Sequence, residues 1–134
     1  HEGKQLPVGT TEYLARGVCT MSIVQQLASS VGATLHLFAG SHLCAILHGQ
    51  PIPWDDDIDA ALPIWSLRPF LKACGNNALM IHSTATVRCI QASNAVKVYI
   101  EYEGMEQYIH ERTRNWNSPF IDLFFFQNRA RQRE

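Results

Sequence analysis

The sequence predicts an α+β fold, a small mixed β-sheet flanked by helices. Three observations point there. Apolar residues first recur at helical spacing. Two-residue alternation then marks several short segments as strands. The order runs helix, strand, helix, strand, helix and then strands alone, which suits a mixed sheet covered by helices. With 134 residues the chain is long enough for one domain with a buried core.

Residues 1–10 read as an N-terminal arm, punctuated by Gly3, Pro7 and Gly9. A helix is expected from Thr10 or Thr11, with a threonine cap and Glu12 in its first turn. Leu14, Val18, Met21, Val24, Ala28 and Val31 give it one apolar face, and Gly32 ends it. Thr34 to Ala39 reads as a strand, running into a Gly40-Ser41 turn and a short helix over "HLCAILHG". After the loop "QPIPW" a strand is expected from Asp57 to Leu62, stopped by Pro63. "IWSLRPFLKACG" suits a short helix if Pro69 lies in the first turn. "LMIHS", "TVRCIQA" and "AVKVYIEYE" are strands, the last two joined by a tight hairpin at "SNA". "GMEQYIHERTRNWNSP" reads as a polar connection with at most one helical turn. "FIDLFFF", Phe120 to Phe126, is the closing strand, so the domain spans 11–126 and a basic tail 127–134.

Composition narrows the function. Eleven basic residues against 12 acidic ones leave a net charge of −1, which argues against nucleic acid or acidic lipid as a partner. No apolar run approaches the ~20 residues that cross a bilayer, so no membrane span is expected. The four cysteines, Cys19, Cys44, Cys74 and Cys89, lack any CxxC or zinc-like spacing and read as reduced, buried thiols. No N-x-S/T acceptor occurs, and the first residue, His1, points to a processed or partial chain.

Against this sparse charge, "PIPWDDDIDAALP" concentrates four of the 12 acids at Asp55, Asp56, Asp57 and Asp59. Residues two apart in a strand share a face, so Asp57 and Asp59 stand together beside small Ala61. Ile58, Ala60 and Leu62 turn toward the core. Two neighbouring carboxylates repel unless a cation neutralises them, and hard divalent ions take oxygen ligands of this kind. Asp55 and Asp56 are assigned to the approach. Upstream, Gly40-Ser41 stands where a strand meets a helix, a place where backbone N–H groups can hold a phosphate. A phosphate cradle facing a metal dyad is the combined reading.

"FAGSHLCAILHGQPIPWDDDIDAALP" resembles the signature of the LicD/fukutin family within the nucleotidyltransferase superfamily. In that family a strand ends in Gly-(Thr/Ser), a short helix follows, and a Pro-Trp-Asp-x-Asp-x-Asp run closes the segment. "PFIDLFFF" resembles the later strand that carries a third acid, and the similarity runs from about residue 10 to 126. The resemblance implies a nucleotidyltransferase-like sheet and transfer of a phospho-alcohol, phosphocholine or ribitol phosphate, from a CDP-activated donor to a glycan hydroxyl. It implies Mg²⁺ or Mn²⁺ as cofactor, held by Asp57, Asp59 and Asp122, which are also the catalytic candidates. Gly40, Ser41 and His48 would hold donor phosphate, with Arg88 or Lys97 supplying positive charge. The charge matters because Leu47 stands where the family often has arginine, and Cys44 where a small glycine is common. An acid amid phenylalanines, as Asp122 is, also needs a partner on its own account. His36, His82 and His110 read as structural or surface histidines, and Trp54 as a packing lid.

Members of the family normally continue past this strand with further helices, which are expected to be missing here. The family analogy suggests the Golgi lumen for a eukaryotic chain and the cytoplasm for a bacterial one. Two further readings stand beside the transferase. The domain could be a degenerate relative serving as an accessory subunit of a larger assembly. It could instead add a nucleotide monophosphate to a small molecule.

Overall fold

The structure, a computed structural model, describes residues 11–37, 57–92, 95–104, 108–109, 117–118 and 120–127. The arm, the tail from residue 128, Gly40-Ser41 and the helix expected over "HLCAILHG" lie outside them.

Helix α1 spans Thr11–Ser30. Gly32 closes it in the left-handed region at φ 76°, with Ala33 N–H donating back to the Ala28 carbonyl at 2.9 Å. That is the usual use of glycine after a helix, where any side chain would be strained. Strand β1, His36–Leu37, begins two residues after the expected Thr34, and residues 38–39 of the expected strand lie outside the described residues. Strand β2, Asp57–Pro63, includes the proline as its last residue and passes into a 3₁₀ turn, Ile64–Ser66. Ser66 Oγ donates to the Pro63 carbonyl at 2.6 Å and ties that corner together. Helix α2, Leu67–Ala73, holds Pro69 in its first turn, where no intrahelical donor is lost.

Strands β3 (Ala78–His82), β4 (Ala85–Ala92) and β5 (Ala95–Tyr102) form an antiparallel meander. The β4–β5 hairpin falls where expected, with Ala92 paired to Ala95. The polar connection behaves differently from its expectation. It carries two short strands, β6 (Tyr108–Ile109) and β7 (Asn117–Ser118), paired antiparallel to each other. Two-residue strands are too short to show alternation, which is why the sequence pattern misses them. Strand β8, Phe120–Phe126, returns to the centre of the main sheet.

The six-stranded sheet has the order β1-β2-β8-β5-β4-β3. It is mixed: β2 and β8 run parallel, and every other neighbour pair is antiparallel. Register sorts the side chains into two faces. Ala60 and Leu62 of β2 line up with Leu123 and its neighbours in β8, then with Val96 and Val98, then with Cys89 and Val87. Against that face pack Val24, Leu27 and Ala28 of α1 and Phe70 of α2. Phe70 meets Phe125 edge to face, with centroids 6.3 Å apart. Each such fully buried side chain contributes about 1.5–3 kcal/mol relative to exposure. The even-numbered core positions of β2 and β5 are therefore those that alternation assigns.

The cysteines correct one expectation. Cys74 and Cys89 are buried as expected but form a disulfide rather than two thiols, while Cys19 is free and exposed. Cys74 ends α2 and Cys89 sits in the middle of β4, with Cα atoms 6.6 Å apart. Their proximity follows from the turn after α2: Cys89 N–H donates to the Asn77 carbonyl at 2.8 Å. Spacing along the chain carries no trace of that contact. Cys44 lies outside the described residues.

Candidate active site

The face of the sheet opposite the core is where the acids gather. Alternation in β2 turns Asp59 and Ala61 away from Ala60 and Leu62, as the sequence requires. The parallel β2–β8 register sets Asp59 directly beside Asp122, and the antiparallel β5–β8 register sets Lys97 on the other side of Asp122. Neighbouring strands lie about 4.8 Å apart, so Asp59, Asp122 and Lys97 form a straight row across three strands. Asp57 lies one pleat further along, opposite Phe120, with its backbone on the same parity. Its side chain is outside what the structure describes, as are Asp55, Asp56 and Trp54.

Lys97 Nζ donates to Asp122 Oδ1 at 2.6 Å, with the two side chains 15% and 14% exposed. The same ammonium stands 5.7 Å from the Phe120 ring centroid, within cation–π range. The acid amid phenylalanines thus has its cation, and the cation is a lysine. Asp59, half-buried, has no ion-pair partner among the described residues. Arg88 lies on the same face, opposite Tyr99, and its Nε donates to Glu101 Oε1 at 2.9 Å. That pair is far more exposed, at 39% and 42%. Burial raises the Tyr99 phenol above its ordinary pKa, the Glu101 carboxylate raises it further, and the Arg88 guanidinium opposes both.

A third row, His36, Ala61, Phe124 and Ala95, borders the acids. Ala61 is buried, and His36 packs edge-on against Phe126 with centroids 5.6 Å apart. His36 and His82 are both exposed, in keeping with surface roles. His110, His48, Gly40 and Ser41 lie outside the described residues.

Of the sequence candidates, Asp59, Asp122, Lys97 and Arg88 share one face, and Asp59, Asp122 and Lys97 are immediate neighbours. Sequence reasoning did not single out Tyr99, Glu101 or Phe120. Their signal was present: alternation in β5 already places Tyr99 and Glu101 on the Lys97 side, and Phe120 shares parity with Asp122. Among the described residues no three His, Cys, Asp or Glu side chains gather around one point. The donors that are described suit a hard divalent ion: carboxylate oxygens on adjacent strands, one of them unengaged. No described helix is long and apolar enough to cross a membrane.

Residues 32–133 match the family described as LicD/FKTN/FKRP, nucleotidyltransferase domain. The match opens at Gly32, so α1 precedes it, whereas the motif resemblance reached back to about residue 10. No curated protein matches the chain. The match covers the acid-bearing strands β2 and β8 and the whole meander between them, and the chain belongs to the LicD/FKTN/FKRP family of nucleotidyltransferase domains.

Proposed function

We propose that the domain is a metal-dependent phosphotransferase that moves a phospho-alcohol, phosphocholine or ribitol phosphate, from a CDP-activated donor to a glycan hydroxyl. The observation that carries this reading is the in-register pairing of Asp59 with Asp122 on the face away from the core. In the reaction the acceptor oxygen attacks the phosphorus that bears the alcohol, the bond to CMP breaks, and CMP leaves with the bridging oxygen. Asp57 and Asp59, with Asp122 beside them, would hold Mg²⁺ or Mn²⁺. A divalent ion bound there supplies charge neutralisation for the diphosphate and for the leaving oxygen. Gly40, Ser41 and His48 bind donor phosphate in this proposal, and Arg88 and Lys97 add positive charge along the sheet. A carboxylate near the acceptor, Asp59 or Asp122, would accept the hydroxyl proton.

The direct test follows CMP release from CDP-linked donors in the presence of Mg²⁺ or Mn²⁺ and a glycan acceptor. Asp57→Asn and Asp59→Asn should each lower turnover by roughly 10²–10³-fold while leaving the fold intact. Full activity in both variants would move the site elsewhere. Turnover of a nucleoside triphosphate instead would favour transfer of a nucleotide to a small molecule. The accessory-subunit reading draws on the engagement of Asp122 by Lys97. It predicts no rise in thermal stability under saturating metal and CDP, whereas a working site gains stability from both.

A further inference from the structure

Asp59 and Asp122 stand level on adjacent strands, and bringing two carboxylates so close requires positive charge. Part of that charge is built into the chain. We propose that Lys97 holds the place of one divalent ion at Asp122, so that its ammonium serves as a fixed cation within the acid row. The inference rests on the reading of Asp59 as a metal-binding carboxylate and adds a role that the reading does not assign.

Three observations carry it. The register places Lys97 directly opposite Asp122, on the side away from Asp59. The Nζ–Oδ1 separation of 2.6 Å puts the ammonium where a cation bound to that oxygen would sit. Both side chains are mostly buried, unlike the Arg88–Glu101 pair on the same face, whose exposure leaves it open to screening. A lysine ammonium is a compact point charge and can stand at a carboxylate oxygen as a bound cation does. Among the described residues, the row then reads as one cation position left at Asp59 and one filled by the protein at Asp122.

The test counts bound Mn²⁺ by electron paramagnetic resonance on the purified chain, with thermal melts in Mn²⁺ and in EDTA. Lys97→Met should bind one more Mn²⁺ than the wild type, and its melting temperature should rise at least about twice as far on adding Mn²⁺. Lys97→Arg, which keeps the charge, should bind the wild-type number. Lys97→Met combined with Asp122→Asn should lose the additional ion. A merely structural ion pair would lower stability equally with and without metal, and leave the count unchanged. That result overturns the proposal, as does an additional ion that persists in the double variant. If Lys97→Met folds only with Mn²⁺ the proposal stands, and if saturating Mn²⁺ leaves it unfolded the proposal fails. The underlying reading is judged separately, by the wild-type count. Wild type binding none while Lys97→Met binds one would reject the native metal site but keep the lysine's role.

Discussion

Gly75 follows α2 at φ 65°, and Asn76 after it also takes a positive φ of 74°. A Cβ at Gly75 would run into the backbone carbonyl of Ala78, which opens β3. Conformation and space therefore demand glycine together, and backbone cannot swing aside as a flexible side chain can. Gly75→Ala should destabilise the domain by about 1–3 kcal/mol, since the left-handed region and the collision act in the same direction. A urea titration of the purified variant checks this, and a midpoint equal to wild type would refute it. Gly32 has a positive φ too, but nothing lies within 4 Å of its missing Cβ, so alanine there should cost less. The sequence announced Gly32 through the helix that it ends. Gly75 carries the stronger constraint because of a carbonyl three residues on, which no propensity encodes.

Between α2 and β4 the Cys74–Cys89 bond fixes how the meander sits on its neighbouring helix. It closes a loop with a sequence separation of 15, which the chain-entropy relation associates with about 3 kcal/mol. Replacing both cysteines by alanine, or reducing the bond, should lower unfolding free energy by about 2–4 kcal/mol. Denaturant unfolding with and without dithiothreitol measures it, and coincident curves would show that the bond contributes nothing. Such bonds persist where thiols are oxidised, so folding yield should also depend on an oxidant. Long elements were legible because their periodicity repeats: α1, β2, β4, β5 and β8 all fall within a few residues of expectation. The disulfide and the β6–β7 pair were not legible. Both arise from contacts between segments whose local pattern says nothing of the partner.

For the molecule as a whole, the sheet divides labour between its faces. One face packs Leu62, Leu123, Ile121, Val96 and Val98 against α1 and α2; the other carries Asp59, Asp122 and Lys97 on the same strands, one residue out of phase. The Asp-x-Asp alternation told which side of β2 the acids occupy. It could not tell that Lys97 meets Asp122, because that neighbour comes from the long-range order β8-β5 rather than from any spacing. With the proposed metal site on the acid face, the division of faces predicts that stability and metal response can be changed independently. Leu123→Ala removes a fully buried side chain and should cost about 2–5 kcal/mol. Its folded fraction should still be stabilised by Mn²⁺ as in the wild type, because nothing on the acid face has changed. Asp59→Asn should do the reverse, leaving metal-free stability undiminished because it removes a like charge beside Asp122, while losing the Mn²⁺ response. Paired urea titrations in Mn²⁺ and in EDTA resolve the two effects. Loss of the Mn²⁺ response in well-folded Leu123→Ala would mean that core packing sets the position of the acids, and the two faces would then have to be treated as one coupled unit.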